Sequence, residues 1–127
     1  MKDHLIEVAM QFRGLIGLLG LLVAQPVLAQ GTILATVQGR THDVVAQCLM
    51  WQMPPALRAW PRVSPPPNED AVVNMYFRGQ DQAEDPVGVF YIRPAGNGAL
   101  VVSFVQTSGA PGEFDRIARM AAQRCAR

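Results

Sequence analysis

Along residues 41–53 the apolar positions recur at helical spacing. Val45, Leu49 and Met53 fall four residues apart, with Val44 and Cys48 beside them on one stripe. Thr41 or Asp43 can cap the start and Pro54-Pro55 stops the end, so the pattern predicts a helix over 41–53. A second helical pattern covers 113–125. There Phe114, Ile117, Ala118, Ala121 and Cys125 share one side, and Asp115, Arg116, Arg119 and Gln123 take the other.

Four segments, 32–37, 71–78, 87–93 and 99–106, are rich in β-branched and aromatic residues and are bounded by turn residues, as strands are. Pro94-Ala95-Gly96-Asn97-Gly98 is a short glycine-rich turn, so the last two strands form a hairpin. The polar connector 79–86 makes another. The expected order is β-α-β-β-β-α: an α+β domain of two layers, with a mainly antiparallel sheet and both helices on one face. The pattern does not say where the first strand joins the sheet. Residues 54–67 carry proline at 54, 55, 61, 65, 66 and 67. Such a run is stiff and cannot enter a central strand. It reads as a rigid connector rather than as a docking site for a partner that grips polyproline.

Strand alternation assigns the two faces. Val73, Met75 and Phe77 oppose Val72, Asn74, Tyr76 and Arg78. Phe90 and Ile92 oppose Val89, Tyr91 and Arg93, and Leu100, Val102 and Phe104 oppose Val101, Ser103 and Val105. The more apolar sets should meet the helices. An inverted phase would bury two arginines, at high cost. Tyr76, Arg78, Tyr91 and Arg93 then lie on the open face. Tyrosine and arginine are enriched where proteins bind, so these four are the candidate partner-binding residues.

The chain before 32 has a different character. The apolar run from Leu15 to Ala24 is short of the roughly 20 residues that span a bilayer. Arg13 precedes it, and Val27-Leu28-Ala29 follows with small residues where a signal peptidase reads. That is the layout of a secretory signal peptide over 1–29, cut before Gln30. Asp3 and Glu7 dilute its positive charge, and a start at Met10 would give a cleaner leader. Residues 30–127 are then a single small exported domain, periplasmic or secreted, with no membrane insertion after cleavage. A domain of that size sits near the margin of stability.

Export changes how Cys48 and Cys125, the only two cysteines, are read. Each lies on the apolar stripe of its helix, and an even count in an oxidising compartment favours a disulfide. Closing so long a loop is worth about 4.5 kcal/mol in the chain-entropy picture. The pair is a staple between helices rather than chemistry.

Charge and motifs narrow the function. Lys2, Arg13, Asp3 and Glu7 fall in the leader, which leaves nine arginines against eight acidic residues and no basic stripe for nucleic acid. His42 is the only histidine after the leader, and no nucleophile–base set, Gly-x-Ser-x-Gly elbow, phosphate loop or zinc spacing occurs. The expectation is a non-catalytic protein without a cofactor: a binding or interaction protein of the cell envelope, of inhibitor, immunity or accessory type, with an envelope protein as its partner. One alternative is a periplasmic copper carrier. Met50 and Met53, with Trp51 between them and His42 upstream, offer soft ligands that suit Cu(I). Against it, His42 would lie about 16 Å from Met53 along a helix, and methionines commonly fill core gaps. A purely structural envelope component is the other alternative.

Overall fold

Val73, Phe90, Ile92 and Val102 are wholly buried, and the fold is arranged around them. The computed structural model describes residues 31–127. The predicted leader over 1–29 and the alternative start at Met10 lie outside those residues. The elements run β1 (Thr32–Val37), α1 (His42–Trp51), β2 (Leu57–Val63), β3 (Ala71–Phe77), β4 (Gly88–Gly96), β5 (Ala99–Gln106) and α2 (Asp115–Cys125). All strand pairs are antiparallel, in the order β1-β5-β4-β3-β2. The chain is therefore a meander of four strands, with β1 returned to the far edge beside β5. Both helices pack on one face, α1 over β2 and β3, α2 over β1 and against α1. This is the expected α+β two-layer domain with one strand more than expected.

The extra strand is β2, inside the segment read as a proline-rich connector. Ser64 N donates to Asp70 O and Arg78 N to Ala56 O, so the even-numbered residues of β2 bond inward to β3. Pro61 is odd-numbered and faces the free edge, where its missing N–H breaks no ladder. Proline is excluded from a central strand, and β2 is an edge strand.

Helix boundaries shift for local reasons. Met53 precedes Pro54, whose ring disfavours helical backbone at the residue before it, so α1 ends at Trp51. Glu113 turns its carboxylate back to accept from Ala110 N at 3.1 Å, and α2 starts later, at Asp115. The β4–β5 hairpin closes on Asn97 and Gly98, whose φ values of 54° and 75° give the left-handed two-residue turn that this sequence favours.

The register stacks Val73, Phe90 and Phe104 in one row under the helices, with the Phe90 and Phe104 rings 4.8 Å apart. Gly88 beside them leaves room for that row: a Cβ there would stand 2.4 Å from the Phe104 ring. Above the sheet, α2 presents Ala118, Ala121 and Ala122, all buried. Small side chains let the two helices approach, and the Cys48–Cys125 disulfide joins them with the Cα atoms 5.7 Å apart. The predicted staple is present.

Candidate functional site: the second sheet face and the β2 edge

The face away from the helices is built by alternation. The register places Arg62, Val72, Tyr91, Ser103 and Ile33 in one row across all five strands, with Trp60, Asn74, Val89 and Val105 in the next. Among the described residues no helix or strand packs on this side. None of the five strands contains an aspartate or glutamate, while Arg58, Arg62 and Arg93 all lie on this face. Two of these guanidinium groups are placed by rings. Arg93 lies over Tyr91 at 5.3 Å, and Arg58 over Trp60 at 6.0 Å. Each such contact is worth about 0.5–1 kcal/mol at an exposed site and costs the arginine some of its freedom.

The predicted phase holds, yet the four candidate residues have different surroundings. Tyr91 and Arg93 remain accessible at the surface. Tyr76 points to the same side but is only 4% exposed, and its hydroxyl donates to the Gln82 carbonyl at 3.3 Å. It packs under the 79–86 connector rather than presenting itself. Arg78 is exposed, and its Nε donates to the Pro55 carbonyl, tying the end of β3 to the turn before β2. Sequence reasoning missed Arg58, Trp60 and Arg62 because it missed β2. The signal was there: Leu57, Ala59 and Val63 alternate with Arg58, Trp60 and Arg62.

Beside this face, along the edge of β2, lies a hollow of about 360 Å³. Met50 and Met53 form part of its apolar wall, Trp51 and Trp60 flank it, and Arg58 and Arg78 stand at the rim. Trp51 is 78% exposed and Trp60 38%.

The proposed copper ligands are not brought together. His42, at the opposite end of α1, donates from Nε2 to the Ser64 carbonyl at 3.0 Å and lines a separate depression with Pro66 and Pro67. The methionines instead share their hollow with two guanidinium groups, whose charge opposes a cation. Neighbouring Asp43 has its carboxyl held below the usual range, chiefly by the Thr41 hydroxyl and then by the backbone N–H groups at the start of α1. That is helix-start chemistry. No helix among the described residues is long and apolar enough to cross a membrane. No family model matches this chain, and no curated protein or solved structure does either.

Proposed function

We propose that this is a small exported binding protein, not an enzyme, and that it engages an envelope protein through the second face of its sheet. The observation that carries the reading is the composition of that face: Arg58, Trp60, Arg62, Tyr91 and Arg93 on strands without a single acidic residue. A face needed only for solubility would mix charges of both signs. Tryptophan, tyrosine and arginine are the residues that dominate measured binding hot spots. Export is supported by the leader pattern and by the disulfide, which suits a compartment that does not reduce thiols. The commitment of His42 to a backbone carbonyl supports binding over catalysis.

Site-specific photo-crosslinking in the native host tests the reading. A crosslinker at Val72, between Arg62 and Tyr91, should yield an adduct of one defined mass. The same group at Arg116, on the exposed side of α2, should not. No adduct from Val72, or the same adduct from both, would contradict it. The mass of the recovered protein reports export at the same time, and a chain beginning at Gln30 is expected.

A further inference from the structure

The hollow at the β2 edge has a chemistry that narrows the partner, and the inference rests on the binding reading above. Its walls are thioether and indole, and its rim is two guanidinium groups. Both are positioned by the protein itself: Arg58 lies over the Trp60 ring, and the Nε bond from Arg78 to the Pro55 carbonyl restrains that side chain. No acidic residue lines the hollow. The nearby acids lie elsewhere, in the 69–70 and 81–85 loops and at the start of each helix. Arginine held in advance recognises carboxylates in a planar, two-bond geometry and loses little entropy in doing so. Methionine lets an apolar wall adapt to more than one side chain. A tryptophan 78% exposed beside such a wall has no packing role to account for it.

We infer that this hollow is the anchor point for an acidic protein segment, one that lays an apolar side chain against Met50, Met53 and Trp51 while an adjacent carboxylate pairs with Arg58 and Arg78. The free edge of β2 does not add a strand there, because Pro61 leaves a gap in its row of donors. Recognition is therefore by side chains. A lipid surface would also attract tryptophan and arginine, but a concave site between an edge strand and a helix end fits a protruding side chain better than a plane.

The chain contains two tryptophans, and both line the hollow, so intrinsic fluorescence reads it directly. The protein, purified from cells with its disulfide intact, would be titrated with a short capped peptide of alternating glutamate and phenylalanine. Its counterpart with lysine at every glutamate, and vesicles of phosphatidylglycerol, would be titrated alongside. The acidic peptide should give a saturable change that the lysine peptide does not. Arg58→Gln and Trp51→Ala should each weaken it at least tenfold, and Trp51 is exposed enough that its removal leaves the fold intact. Equal responses to both peptides, no response to either, or a response to vesicles alone would overturn the inference. If the crosslinked partner binds normally to Trp51→Ala but not to Tyr91→Ala, the sheet face stands and the hollow does not.

Discussion

The two faces of one sheet differ by a step of a single residue. Toward the helices, β3, β4 and β5 present Val73, Met75, Phe90, Ile92, Val102 and Phe104, all apolar and all buried. One position along each strand, the other face presents Asn74, Tyr91, Arg93 and Ser103, joined by Arg58, Trp60 and Arg62 from β2. The first face is what the fold needs: it removes apolar area from water and lies beneath the disulfide that joins the helices. The second satisfies the alternation with any polar residue. Its tryptophan, tyrosine and arginine are the residues on which the proposed partner binding rests.

If that division is right, damage to the covered face should register as lost stability. Phe90→Ala is expected to cost about 3–5 kcal/mol, read from urea unfolding, since the ring is fully buried against Phe104. Replacing Cys48 and Cys125 by alanine should cost about 2–5 kcal/mol, with partner affinity retained in conditions where the variant still folds. Gly88→Ala should cost about 1–3 kcal/mol, because its methyl group would meet the Phe104 ring and force the row apart.

Two tyrosines lie on the second face, and only one of them is accessible. Tyr76→Ala should lose about 2 kcal/mol or more of stability, as a buried ring does. Tyr91→Ala should lose about 1 kcal/mol or less. Equal losses would mean that accessibility on this face is not divided as described. The smallest expected effect is at the start of α1. Asp43 has a lowered folded-state pKa, so its contribution is present above the ordinary value of 3.8 and fades as pH falls through the lower folded value. Asp43→Asn should lower stability slightly above that range and leave it nearly unchanged in strong acid, which flattens the acid limb of the stability curve.

Much of this was legible because it is local. Periodicity gave both helices, the phase of β3 to β5, and the two cysteines turned toward each other. Three features needed more than local pattern. In β2 the proline count overshadowed a clear alternation of Leu57, Ala59 and Val63 with Arg58, Trp60 and Arg62, and whether Pro61 is tolerated depends on which side of the strand is free. The place of β1 beside β5 is a pairing across most of the chain, to which no neighbouring residue points. The burial of Tyr76 follows from a hydroxyl meeting the connector at Gln82, a contact invisible to strand phase. The candidate site suffered most, since Arg58, Trp60 and Arg62, three of the five residues that carry the proposal, stand on the missed strand.

Under the proposal, the second face recognises a partner without holding up the fold. The most direct test pairs a thermal melt with a binding isotherm against the partner identified by crosslinking, for Trp60→Ala and Tyr91→Ala alike. Melts close to that of the unaltered protein are expected, with dissociation constants raised about thirtyfold or more, the loss of about 2 kcal/mol that marks a hot spot. Unchanged melts with unchanged affinity would contradict the proposal, and so would affinity losses that only follow a collapse of the fold.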